Sequence, residues 1–99
     1  SDRYPSVYFA MASCHRRLKQ YKDALVLYHQ ARADKGSAPE ATKLIAETYE
    51  QSGARENAIK WFQQTCKLYP KTGQASRSHA HLQSKYKISV TLGGANEKE

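Results

Sequence analysis

Set against itself at an offset of 34 residues, the chain matches without a gap. Tyr8, Met11, Ala12, His15, Ala24, Leu25, Tyr28 and Gly36 fall opposite Thr42, Ile45, Ala46, Tyr49, Ala58, Ile59, Phe62 and Pro70, with size and polarity roughly kept at most places. A unit of this length made of two helical stretches cannot bury its apolar face alone. Neighbouring units must therefore stack into a shared core and present a long groove. The period predicts an all-α chain whose business is binding.

The helices can be placed from spacing and end signals. Pro5 suits the first turn of a helix, and Val7, Tyr8, Met11, Ala12, Cys14, His15 and Leu18 supply a broad helical stripe before polar Lys19 and Gln20. Tyr21 opens a second helix, in which Ala24, Leu25, Leu27, Tyr28 and Ala31 recur three and four apart and Gly36 is a natural stop. Ser37 to Glu40 forms a capping-box pattern, with Ser37 accepting from the third helical amide and Glu40 reaching back. The third helix runs through Ala41, Leu44, Ile45, Thr48 and Tyr49 to Gly53. A fourth carries Ala58, Ile59, Trp61, Phe62, Cys66 and Leu68 as far as Pro70. Connections of a few residues force antiparallel neighbours, so the unit is a helical hairpin used twice.

These residues resemble the tetratricopeptide repeat family, whose signature reads W-x2-L-G-x2-Y, then A-x3-F, then P. Thr42, Ile45, Ala46 and Tyr49, followed by Ala58, Phe62 and Pro70, stand at the signature places of the second unit. Tyr8, Met11, Ala12, His15, Ala24 and Tyr28 do so in the first, where His15 and Gly36 are departures. The small residues Ala12, Ala24, Ala46 and Ala58 let helix backbones approach. The resemblance implies a fragment of right-handed α-solenoid: one domain over 1–99, with repeats at 5–36 and 37–72, a closing helix within 73–92 and a flexible tail at 93–99. Its signature places are packing places, so it says more about fold than about function.

Residues 73–92 carry two patterns. Ala75, His79, Leu82, Tyr86 and Val90 make a helical stripe, while Tyr86, Ile88, Val90 and Leu92 alternate as in a half-buried strand. A lone strand has no sheet to join here, so a helix to about residue 88 and an irregular tail are expected. The alternative is an extended segment seeking a partner.

Charge and composition narrow the function. Hydrophobic residues at 39% and charged ones at 25% belong to a soluble globular chain, and the longest apolar run, Val7 to Ala12, is too short to enter a bilayer. The chain reads as cytoplasmic. Net charge is +7, and no acid occurs between Glu56 and Glu97, where Lys60, Lys67, Lys71, Arg77, Lys85 and Lys87 lie with His79 and His81. One end should be clearly positive and steer acidic partners, unless it is simply a solvated face.

Catalytic and metal chemistry find no support in the spacing. Cys14 and Cys66 read as buried small side chains rather than a disulfide. No C-x2-C or H-x3-H pair exists, and His79 and His81 are splayed on a helix. No nucleophile elbow or phosphate loop is present either. A non-catalytic chain without metal or cofactor is expected.

In tetratricopeptide arrays the first helix of each hairpin lines the concave groove. Carried over, that implies Phe9, Ser13, Arg16 and Arg17 from the first unit, Lys43, Glu47, Glu50 and Gln51 from the second, and Arg77, His81 and Lys85 from the closing helix. The carboxylate clamp of some family members uses lysine, asparagine and arginine at the places where Phe9, Ser13, Leu44, Gln74 and Ser78 stand here, and none of these is the required donor. The groove should instead be cationic, with Glu47 and Glu50 as an acidic break, and take a partner segment with acidic residues. At the other end Tyr4, Val7, Tyr8 and Met11 look like an unfinished stacking face. Two repeats fall short of the usual three, so the chain reads as the C-terminal piece of a longer array or as a self-associating domain. The expectation is a protein interaction module or scaffold within a dimer or larger complex. RNA binding through the basic C-terminal face, with Trp61, Tyr69 and Tyr86 for stacking, is the alternative.

Overall fold

A computed structural model describes residues 4–90. Among them are five α-helices and no strand: α1 (Pro5–Arg17), α2 (Tyr21–Ala31), α3 (Ala38–Gln51), α4 (Arg55–Leu68) and α5 (Gly73–His81), the last continued by one wide π turn over Leu82–Tyr86. Pro5 opens α1 and Pro39 lies in the first turn of α3, where a missing N–H costs nothing. α1 packs on α2 and α3 on α4 across the shortest connections, and α2 meets α3 as α4 meets α5. The chain is thus a sequential stack of helices.

The core runs through the stack as three joined clusters. Tyr8, Ala31 and Ala41 form the first, Ala12, Ala24, Tyr28 and Ile45 the second, and Ala46, Ala58, Phe62, Cys66, Leu82 and Val90 the third. Ala12, Ala24, Ala46 and Ala58 are all fully buried, and Tyr28 and Phe62 fill the space beside them.

The 34-residue spacing also separates three backbone positions. Positive φ angles occur at Lys19 (61°), Gly53 (90°) and Lys87 (61°), each 34 residues after the last. At the first two, α1 and α3 close with the same cap: the Gln20 and Ala54 amides donate to the carbonyls of His15 and Tyr49 at 2.8 and 2.9 Å, and those of Lys19 and Gly53 to Arg16 and Glu50. At Lys87 the two bonds are each one residue wider, from Ile88 to Leu82 and from Lys87 to Gln83. The π turn is that extra residue. In α5 Ala75, Ser78 and Leu82 are buried; 34 residues earlier stand Ala41, Leu44 and Thr48, of which Ala41 and Thr48 are buried as well, while Ser76 and Ala80, opposite the buried Thr42 and Ala46, are exposed.

Several expectations are corrected. The Ser37–Glu40 capping box does not form: the Ser37 amide, which Glu40 would have bonded, donates to Asp34 Oδ2 at 3.0 Å, and the Ser37 side chain makes no cap bond. Glu40 instead accepts from Gln74 Nε2 at 3.0 Å, tying α3 to α5. α2 ends at Ala31, well before Gly36, because hydrogen-bonded turns over residues 32–37 bring the chain round to α3. Cys14 is exposed, since Tyr8 and Ala12 set the inward face of α1 and Cys14 lies about 200° round from Ala12. Tyr8, placed by the sequence on an open face, is only 9% exposed and packs with Ala31 and Ala41; Tyr4, Val7 and Met11 are at 76%, 37% and 39%.

The last helix ends at Tyr86, not near residue 88. Beyond it burial alternates, with Ile88 half-buried and Val90 in the core, while Lys87 and Ser89 are exposed. Both patterns in the sequence were therefore real, each over its own stretch. Leu92, the end of the expected closing segment and the 93–99 tail lie outside the described residues.

Candidate functional cleft

Between α3 and α5 lies an open cleft of about 490 Å³, with Arg16 from the end of α1 at one side and Phe62 of α4 beneath. α3 presents Lys43, Glu47, Glu50 and Gln51, which fall on one stripe at steps of three and four. α5 adds Arg77, Ser78 and His81, and its π turn adds Lys85. The groove residues named from sequence thus divide. Arg16, Lys43, Glu47, Glu50, Gln51, Arg77, His81 and Lys85 come together, whereas Phe9, Ser13 and Arg17 do not line the cleft. Phe9 packs inward with its ring 6.0 Å from that of Tyr28, and Arg17 turns back to Ser13 Oγ and Cys14 Sγ.

Two carboxylates organise the cleft. Glu47 accepts from Lys43 Nζ at 2.8 Å and faces Arg16 at 3.9 Å, while Arg16 Nε donates to Gln51 at 2.9 Å. Lys43, only 9% exposed, also faces Glu40 at 3.8 Å. Glu50 gathers the closing segment: it lies 2.8 Å from His81 Nε2, accepts from Tyr86 Oη at 2.5 Å and meets Lys85 Nζ at 3.2 Å. A wide turn advances each residue by a smaller angle, which lets Lys85 and Tyr86 both reach Glu50 from one helix end. The His81 ring sits 4.9 Å from Phe62, so the polar network rests on the core.

Titration of this network has a defined sign. Burial pushes the Glu50 carboxyl up, but the hydrogen bonds of Tyr86, His81 and Lys85, with the charge of His81, outweigh it and hold Glu50 below the usual carboxylate value. Its contribution to stability is in place above about pH 4.3, the ordinary glutamate value, and is lost as pH falls through the depressed folded value. The Tyr86 phenol is pushed up to about 12 by burial and then by its bond to Glu50 and that group's charge, against the pull of Arg55. Its contribution is complete below about pH 10, the ordinary tyrosine value, and fades as pH climbs towards the folded value. Urea midpoints followed against pH should fall at both ends. Glu50→Gln should flatten the acid limb and bring Tyr86 down; a Glu50→Gln profile that superimposes on the parent would contradict the network.

Of the residues missed as members of this site, Phe62 carried only a packing signal, and Tyr86 was considered for base stacking rather than as a partner of Glu50. Ser78 lies three residues before His81 and seven before Lys85, a helical stripe that could have found it. Two of the three aromatic residues considered for stacking, Trp61 and Tyr86, are occupied. Trp61 is covered by the Arg32 guanidinium at 5.0 Å and met edge-on by His29, whose pKa is lowered by burial and then by Arg32; Tyr86 is held by Glu50. Burial pushes the Cys66 thiol up to about 11, and it donates to the Ala75 carbonyl at 3.5 Å. That is a structural thiol.

No protein-family model, no curated protein and no solved structure matches this chain. Among the described residues no group of three or more His, Cys, Asp or Glu could hold a metal ion, and no helix is long and apolar enough to cross a membrane.

Proposed function

We propose that the chain is a non-catalytic interaction module of tetratricopeptide type, two helical hairpins with a closing helix from a right-handed α-solenoid, and that its cleft receives a partner segment carrying acidic residues. The recurrence of one helix cap at Lys19 and Gly53, with its widened form at Lys87, supports the repeat reading. The observation that carries the function is the charge of the cleft, where Arg16, Lys43, Arg77 and Lys85 outnumber Glu47 and Glu50 together with Glu40 beside Lys43. Such an excess draws in and orients an acidic segment more than it tightens the final complex.

Selection from a random displayed-peptide library is the test. The parent chain should enrich sequences with Asp or Glu, and Arg77→Glu should slow association with the selected peptides about tenfold at low salt and flatten the salt dependence. Lys85 is better changed to Gln, because a carboxylate there would face Glu50. Enrichment with no acidic preference, or binding indifferent to Arg77→Glu, would end this reading. Phe9 belongs to the packing of α1, so Phe9→Ala should lower stability rather than speed dissociation.

At the far end Tyr4 and Val7 stand exposed on α1, where a preceding unit or a second copy would stack. If a second copy does so, Val7→Glu should shift sedimentation of a concentrated sample towards monomer. A parent chain that is already strictly monomeric would exclude self-association through this face.

A further inference from the structure

One hydroxyl and one cation in the cleft are left over. Thr48 and Thr65, fully buried on α3 and α4, donate their hydroxyls to the carbonyls of Leu44 and Trp61 one turn back, at 2.7 and 2.9 Å. Ser78 has no such bond. It is 1% exposed, it lines the cleft, and among the described residues its Oγ is the buried side-chain polar atom without a partner. Alanine would pack the same place without the cost of a desolvated, unbonded hydroxyl. Next to it Arg77 is exposed and lines the cleft, and no hydrogen bond or ion pair holds it among the described residues. The other cations are committed: Arg16 and Lys43 to Glu47, Lys43 also to Glu40, and Lys85 to Glu50.

We propose that Ser78 and Arg77 form a subsite for a single carboxylate, the side chain of an Asp or Glu within the partner segment; this rests on the cleft being the binding surface. The Arg77 fork offers two parallel N–H donors to the two carboxylate oxygens, and the Ser78 hydroxyl donates to one of them. Charge selects a monoanion. With the His81 imidazole neutral, the three committed Arg and Lys cations face Glu40, Glu47 and Glu50, so Arg77 supplies one unbalanced positive charge, and the second charge of a phosphate would meet the cleft's own carboxylates. Reaching the covered hydroxyl requires a side chain to move, and Arg77 is the one that breaks no bond by moving. The orphaned hydroxyl thus lowers the stability of the free protein and is satisfied on binding.

The test titrates the isotope-labelled full chain with a short capped alanine peptide bearing one central glutamate, its glutamine counterpart, and inorganic phosphate, read by NMR. The glutamate peptide should shift the Ser78 amide and the Arg77 side-chain N–H saturably, with the glutamine peptide about tenfold weaker, the scale of a lost charge-assisted hydrogen bond. Arg77→Gln should lose about the same factor with the melting temperature unchanged. Ser78→Ala should weaken the glutamate peptide several-fold while raising the melting temperature, a pairing that a purely structural serine would not produce. Equal binding of both peptides, or a Ser78→Ala chain of unchanged affinity, overturns the subsite, and phosphate binding more tightly than the glutamate peptide overturns its monoanion character. Shifts at Lys43 and Glu47 without any at Arg77 and Ser78 would leave the cleft as the binding surface and remove the subsite. Silence throughout the cleft would remove both.

Discussion

Phe62→Ala should cost about 3–5 kcal/mol, the usual range for emptying a buried aromatic site. A chain of this length has a total stability on the order of 5–15 kcal/mol, so the variant should sit near the edge of unfolding at room temperature. Phe62 is 2% exposed and packs with Ala46, Ala58, Cys66 and Leu82, and its ring also supports His81. Truncation therefore removes apolar contact and loosens the partner of Glu50 at once. Chemical denaturation measures the first effect, and the pH profile of the surviving fold measures the second. A loss below about 1 kcal/mol would mean that the cluster repacks around the gap and that Phe62 is not its centre.

Ala58→Leu acts in the opposite direction, by overfilling. Ala58 is fully buried in α4, where it allows close packing on α3, and a leucine there should cost about 1–3 kcal/mol through strained rotamers and displaced backbone. Ala24 holds the same place one period earlier and is equally buried, so Ala24→Leu should give a similar drop. Ala80 is exposed, and Ala80→Leu should change the melting temperature little. Thermal unfolding of the three variants together tests the 34-residue alignment: an unchanged melting temperature for Ala58→Leu would break it.

Much of the cleft was named through the resemblance, which puts groove residues on the first helix of each hairpin, and on α3 the spacing that buries Ile45 and Ala46 leaves Lys43, Glu47 and Glu50 on another side. Phe9 and Arg17 were misplaced for a related reason. On α1 one face must serve both the packing on α2 and the groove, and spacing alone does not say where one ends and the other begins. Ser37 and Glu40 formed a sound local cap pattern, yet Asp34 captured the amide and Gln74 the carboxylate. The cap thus lost its amide to a competing local turn and its carboxylate to a tertiary partner.

From the sequence alone came the helical class, the 34-residue self-match, the small residues at close helix contacts and the positive charge of the C-terminal half. All are encoded by which residue types recur at which interval, and a helix needs no distant partner to reveal that interval. Only the tertiary structure decided that the closing helix widens into a π turn, that Glu50 gathers His81, Lys85 and Tyr86, and that Ser78 is buried without a bond. Each depends on what α3 and α4 present to the closing segment, contacts distant in sequence that leave no periodic mark on the chain.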